Sequence, residues 1–224
     1  MRILFIRHGE PDYAKDDLTD TGVRQAELLA QRLKNEGIEE IWSSPLGRAK
    51  RTALISSEVL GLPVKTLECM REIKWGSVNG EEIFANGHPW DIADEMVRQG
   101  MDLTDRNWQT NQFYINNSAV DAVKTVESGT DEWLRTFGYN RQRMYYDHVA
   151  EEERHKTIAL FCHGGSSSAA IAHIMNLPFP YVCAMLHMEF TAITIVRMDR
   201  KTGVSSLSCL ELANDAGHLA QNKT

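Results

Sequence analysis

Cysteine is scarce: Cys69, Cys162, Cys183 and Cys209 are all the chain has in 224 residues, far apart and with no C-x-x-C pair. A disulfide framework or a cysteine-rich zinc site therefore has no basis, and the thiols read as buried structural residues in a reducing compartment. No apolar run approaches the roughly 20 residues of a membrane span. Residues 1–7 are strand-like where a signal peptide needs a cationic start and a longer apolar core, so a cytoplasmic location is expected. Positive charge is also short: 24 Lys and Arg against 31 Asp and Glu leave a net charge of −7, which argues against a nucleic-acid or anionic-membrane partner. With 15 glycines, 6 prolines, no repeat and no low-complexity linker, the expectation is one domain over residues 1–224. Oligomeric state leaves no trace in the sequence.

What is present is a rhythm of short apolar runs and amphipathic segments. "RILFI" (2–6) reads as a buried strand. A helix follows from Thr19 as N-cap, with Val23, Ala26, Ala30 and Leu33 at helical spacing and a stop at Gly37. "IEEIW" (38–42) is a second strand; the helix after it is expected to open with Ser44 as cap and Pro45 at its first position and to close at Gly61. "PVKTLE" can be a third. Such alternation argues for a largely parallel sheet with helices on both faces, a three-layer α/β/α sandwich.

From about 77 to 153 the rhythm breaks into mixed polar and aromatic sequence. This reads as a helical or loop insertion over one end of the sheet, ending in a helix around 128–152, with "EEER" (151–154) as its solvated end. Its Trp90, Trp108, Phe113 and Tyr114 read first as the insertion's own small core and second as a substrate wall. Regularity returns with the strand "KTIALFC" (156–162), a helix through "HGGSSSAAIAHIM", and two last strands, "FTAITIVRM" and "SSLSCLEL", joined by a turn at Lys201 to Gly203.

"LFIRHGE" and "ALFCHGG" echo each other: each runs from an apolar strand straight into His-Gly. Ligands of open parallel sheets bind beyond the carboxyl ends of the strands where the strand order reverses, which is where His8 and His163 would sit. Gly9, Gly164 and Gly165 would let backbone N–H groups approach a ligand, and the serine-rich helix start would offer free donors to an anion. Arg48 lies in a first helical turn, where the dipole disfavours cations, so it needs a negative partner. With Arg7 at a strand tip and two histidines near, a bound anion explains it better than a structural carboxylate.

The ordered blocks "RHGE", "LTDTG", "SSPLGRAKRTA", "MREIKWGSVNG" and "FCHGG" resemble the histidine phosphatase superfamily, which includes the cofactor-dependent phosphoglycerate mutases, across residues 1–83 and 156–198. The resemblance implies that His8 is the nucleophile and is phosphorylated, that Arg7, Arg48 and His163 hold the phosphoryl oxygens, and that Glu72 is the proton donor. The chemistry suits these residue types. A phosphoryl group in transfer needs positioning and positive stabilisation. A neutral imidazole can attack phosphorus, with its other nitrogen fixed by a backbone carbonyl. An acid with a raised pKa can protonate the leaving alkoxide.

Glu10 is the rival acid and reads as a loop carboxylate, while Arg51 reads as a surface or ion-pair residue. His8 and His163 as zinc ligands lack an H-E-x-x-H or cysteine partner set, so no metal or cofactor is expected. His88, His148, His155, His173, His187 and His218 read as surface or satisfied interior residues, and "HMEF" (187–190), just before a strand, first as sheet edge and second as pocket rim.

Mutases of the family follow the first motif with a longer, Asn-containing loop and carry "HGNS"; here "EPDYAKDD" runs directly to "LTDTG", and "HGGS" stands in place. Both departures favour a metal-independent phosphatase for a small phosphorylated substrate. A mutase-type phosphotransferase and a non-catalytic phospho-ligand binder are the alternatives. The natural substrate is not legible, because residues 84–150 would choose it.

Overall fold

The computed structural model describes residues 1–149, 156–198 and 205–222. Strand β1 (Arg2–Arg7) shows the period-two rule: Leu4 and Ile6 join one apolar cluster, Ile3 and Phe5 the other. A two-residue ladder, β2 (Pro11–Asp12) with β3 (Asp17–Leu18), leads to α1 (Asp20–Leu33), where the Thr19 hydroxyl caps the Gly22 N–H. Next come β4 (Glu40–Ser43), α2 (Gly47–Leu60), closed by Gly61 at φ +67°, and β5 (Val64–Thr66). Helices α3 (Pro89–Arg98) and α4 (Ala119–Arg135) are followed by a hairpin, β6 (Tyr139–Gln142) and β7 (Tyr145–His148). The chain returns through β8 (Thr157–Cys162), α5 (Gly164–Met175) and α6 (Phe179–Met185) to β9 (Ile193–Arg197), β10 (Ser205–Ser206) and β11 (Cys209–Asp215).

The main sheet has the order β11-β9-β1-β8-β4-β5: β1, β8, β4 and β5 are parallel, β9 is antiparallel to β1, and the edge strand β11 is antiparallel to β9. Leu29 and Leu33 of α1 and Ala53 of α2 cover Leu4, Ile6, Ala159 and Phe161 on one face. On the other, Ile3, Phe5, Ile158 and Leu160 meet Ile92, Val126, Ile171 and Phe179 from α3, α4, α5 and α6. The three-layer sandwich is therefore present, and strands buried on both faces explain the uninterrupted apolar runs. After β1 the chain crosses to β4; after β8 it crosses the opposite way to β9. The crevice between the ends of β1 and β8 is thus the switch point. Among the described residues no helix is long and apolar enough to cross a membrane.

Three expectations need correction. Helix α2 starts at Gly47 with Leu46 as an uncapped N-cap, not at Ser44 and Pro45. The Ser44 N–H instead donates to the Phe161 carbonyl, which prolongs the β4–β8 ladder and keeps Ser44 extended. The helix placed at 128–152 lies at 119–135, after which the chain forms the hairpin. Gly138 at φ +84° ends the helical stretch, and the hairpin turns at Arg143 in the left-handed region, where no Gly or Asn announces it. The penultimate strand is shorter than 190–198, and Ser205–Ser206 pairs with β7 while β11 pairs with β9. The turn at 201–203 and "EEER" lie outside the described residues.

One close approach fixes how the first loop meets α1. A Cβ on Gly22 would lie 2.2 Å from the Glu10 carbonyl oxygen, and one on Gly9 would lie 2.6 Å from the Gly22 oxygen. Gly22→Ala should therefore destabilise the protein by on the order of 2 kcal/mol in denaturant unfolding, although helix propensity alone favours Ala by about 1 kcal/mol. A stabilised variant would contradict this packing.

Candidate active site

His8 sits one residue past β1, and its N–H continues the ladder to the Cys162 carbonyl. Its ring is buried at 2 % exposure. Nδ1 lies 2.7 Å from the Gly9 carbonyl, an acceptor only, so Nδ1 carries the proton. Nε2 then offers its lone pair, here accepting Arg48 Nε–H at 3.2 Å. Burial pushes the His8 pKa down to about 3; the Gly9 carbonyl opposes this, and the Arg48 and Arg7 charges reinforce it.

His163, at the tip of β8, packs edge-on to His8 with ring centroids 5.1 Å apart. Its Nε2 is 2.8 Å from Ser44 Oγ. That hydroxyl also accepts the Leu46 N–H. Burial, then His8, Arg48 and Arg7, hold the His163 pKa well below its ordinary value.

The Arg7 guanidinium lies 4.2 Å over the Phe190 ring, and Nη1 donates to the Met188 carbonyl at 2.6 Å. Arg48, in the first turn of α2, donates from Nη1 to Asp16 Oδ1 at 2.6 Å, while Asp16 Oδ2 takes the Gly47 N–H at 2.7 Å. The negative partner demanded by Arg48 is thus supplied by the chain along one edge. Two buried nitrogens, Arg7 Nε, which carries a proton, and His163 Nδ1, have no hydrogen-bond partner among the described residues.

Glu72 lies across the start of α5. Its carboxylate accepts N–H groups from Ser166 (3.0 Å), Gly165 (3.3 Å) and Ile73 (2.9 Å). Burial raises its pKa and outweighs these donors and the Arg48 charge. With Arg7 and Gly164 it lines a cavity of about 540 Å³ walled by Trp75, His88 and Trp90.

The family profile of the histidine phosphatase superfamily, branch 1, matches residues 3–209. The chain belongs to that superfamily. It is 36% identical over 228 residues to a protein of Yersinia pestis (strain Pestoides F) named probable phosphoglycerate mutase, spanning 98% of this chain and 95% of the relative. The Yersinia pseudotuberculosis (serotype O:1b) protein of that name matches equally. Among solved structures, the mycobacterial glucosyl-3-phosphoglycerate phosphatase shares the fold at a TM-score of 0.66 and 23% identity, covering 95% of this chain and 98% of that one. The phosphoserine phosphatase of Entamoeba histolytica with 3-phosphoglyceric acid does so at 0.64 and 21%, covering 97% and 98%.

For this member of the superfamily, the structure gathers Arg7, His8, Arg48, Glu72, His163 and Gly164 at the switch point. Gly9 serves the packing instead. Its N–H donates to Thr52 Oγ1 at 3.1 Å, and its missing side chain makes room for α1, not for a ligand. The α5 donors of Gly165 and Ser166 hold Glu72 in place of an outside anion. Glu10 accepts the Thr19 hydroxyl, away from the cavity, and Arg51 is exposed. "HMEF" is no sheet edge, because β9 begins at Ile193 and Met188 and Phe190 hold Arg7. Trp90 lines the cavity, whereas Trp108 and Tyr114 pack together at 4.8 Å and Phe113 packs on Phe84. Of the other described histidines, His173 pairs with Asp131, His148 is buried against Tyr139, and His88 and His187 line the cavity.

Asp16, Ser44, Trp75 and Thr191 contact the site residues or line the cavity, and sequence reasoning did not place them there. Thr191, at φ +58°, donates its N–H to the carbonyls of Arg7 and His8, and its hydroxyl meets His218 Nε2 at 2.9 Å. No local signal marks such a strained β-branched residue.

Two outcomes follow from this geometry. Asp16→Ala should lower kcat/KM about tenfold, the equivalent of about 1.4 kcal/mol of lost positioning, with under about 1 kcal/mol of lost stability because the pair is partly exposed. An unchanged kcat/KM would show that Asp16 does not position Arg48. His8 and His163 have folded pKa values below their unfolded ones, so the unfolded chain binds more protons. Their stabilisation is complete above about pH 6.5 and is lost as pH falls below it, for His8 on the way to about 3. Denaturation midpoints over that range should have a shallower acid slope in His8→Ala than in the wild type, and parallel slopes would refute the burial of neutral His8.

Proposed function

We propose that this protein hydrolyses phosphate monoesters through a phosphohistidine on His8. The observation that carries the reading is the buried, unpartnered Arg7 Nε–H beside His8 Nε2, whose lone pair takes the Arg48 Nε–H. Donors fixed before the substrate arrives cost no reorganisation as charge builds on the phosphoryl oxygens. The phosphoryl group draws Arg48 Nε–H from Nε2 to one of its own oxygens, and Nε2 attacks phosphorus. The P–O bond to the alcohol breaks, and the Glu72 proton passes to the departing oxygen. The Glu72 carboxylate then takes a proton from water, whose oxygen attacks phosphorus; the P–N bond breaks and its electron pair returns to Nε2.

Hydrolysis is favoured over transfer by the cavity wall. Its described residues include one Arg, Arg7, and no Lys, while Asp94 adds negative charge, so a second acidic group on the substrate would find no Arg or Lys among them beyond the one at the phosphoryl end. The name carried by the Yersinia relatives supports a mutase as the second reading. In this reading residues 77–153 are an insertion in one domain, and α3 brings His88, Trp90 and Asp94 over the site to choose the substrate.

His8→Ala should abolish turnover of p-nitrophenyl phosphate, and wild-type enzyme quenched in mid-reaction should carry acid-labile phosphate; undiminished activity in the variant would end the proposal. Glu72→Gln should slow alkyl phosphates more than aryl phosphates, whose leaving groups need less protonation, and equal slowing would move the acid elsewhere. With 3-phosphoglycerate and a bisphosphoglycerate primer, free phosphate is expected, and accumulation of 2-phosphoglycerate would reverse the choice of reaction.

A further inference from the structure

Three rings lining the cavity take no part in the phosphoryl chemistry: Trp75, His88 and Trp90. Trp75 and Trp90 lie 6.3 Å apart, centroid to centroid, at 80°, and His88 is 5.2 Å from Trp75 and 5.3 Å from Trp90. Nearly perpendicular indoles make two walls of a box, unlike the parallel faces that would sandwich a flat heteroaromatic group. The box abuts the phosphoryl pocket, since a Cβ on Gly164 would lie 3.4 Å from the Trp90 ring and 3.9 Å from Arg7 Nε.

Charge around the rings is lopsided. Asp94 stands one helical turn after Trp90 on α3 and lines the same cavity. Asp91 Oδ2 lies 2.9 Å from His88 Nδ1, and Glu189 Oε1 lies 3.4 Å from His187 Nε2. Among the described lining residues the one guanidinium, Arg7, sits at the phosphoryl end. An aromatic wall with a free carboxylate attracts a cation through the ring quadrupole and through direct Coulomb attraction, and it repels a carboxylate.

We propose that Trp75, His88, Trp90 and Asp94 form a cation subsite, so that the preferred substrates are phosphate monoesters of alcohols bearing an amino or quaternary ammonium group. This substrate class rests on the hydrolase reading above. It is narrower than that reading, which fixes the bond cleaved and leaves the alcohol open.

The test compares phosphocholine with 3,3-dimethylbutyl phosphate, which has the same shape without the charge, and with 3-phosphoglycerate. Wild-type kcat/KM should favour phosphocholine over its neutral counterpart by about tenfold or more, with 3-phosphoglycerate the poorest. The ratio between the first two should fall about fivefold in Asp94→Asn and in Trp90→Leu, and Trp90→Phe should restore part of it. Equal rates for the two esters, a ratio unmoved in both variants, or a preference for 3-phosphoglycerate would overturn the subsite. Binding of the same esters to His8→Ala separates the two claims. A cationic preference there, with no hydrolysis by the wild type, refutes the hydrolase reading alone. No preference there refutes the subsite alone.

Discussion

The structure depends on holding an imidazole neutral beside two guanidiniums. A protonated His8 would be a third cation in a dry crevice, repelled by its neighbours and unable to attack phosphorus. Burial and the arginine charges both remove that proton, and the Gly9 carbonyl assigns the remaining one to Nδ1. The same crowding explains Asp16, a loop carboxylate that reaches Arg48 and the first N–H of its helix together. Positive charge is thereby concentrated where a phosphoryl group would lie, while the chain as a whole is acidic.

Glu72 shows two effects in opposition. Backbone donors at the start of α5 favour its anion, and desolvation favours its acid; desolvation wins. A carboxyl group held by three N–H groups has a fixed position, so it can give up a proton and take one back without moving. The helix terminus here holds a carboxyl group of the chain itself. That role differs from the direct binding of an outside anion that terminal N–H groups alone suggest.

How much was legible follows from how local each signal is. Buried parallel strands read as apolar runs, so β1 and β8 and the His-Gly at their ends stood out, as did the Thr19 cap and the Gly61 stop. Ser44 misled because a serine before a proline looks like a cap, whereas strand pairing to Phe161 decides its conformation. The hairpin at 139–148 was missed because its alternation is weak and its turn uses Arg143. Asp16, Thr191 and His218 reach the site only through tertiary contacts that no local pattern spells out, and for Phe190 the only hint is that "HMEF" precedes a strand. Gly9 was visible as a close approach, but sequence cannot say whether a ligand or a helix does the approaching.

Nitrogen-15 NMR of histidine-labelled protein tests the central claim most directly. His8 should show a protonated Nδ1 and a lone pair on Nε2 from pH 8 down to about pH 5, without titrating, because its pKa is held near 3. A His8 that takes up a proton near pH 6.5, or that carries its proton on Nε2, would contradict it.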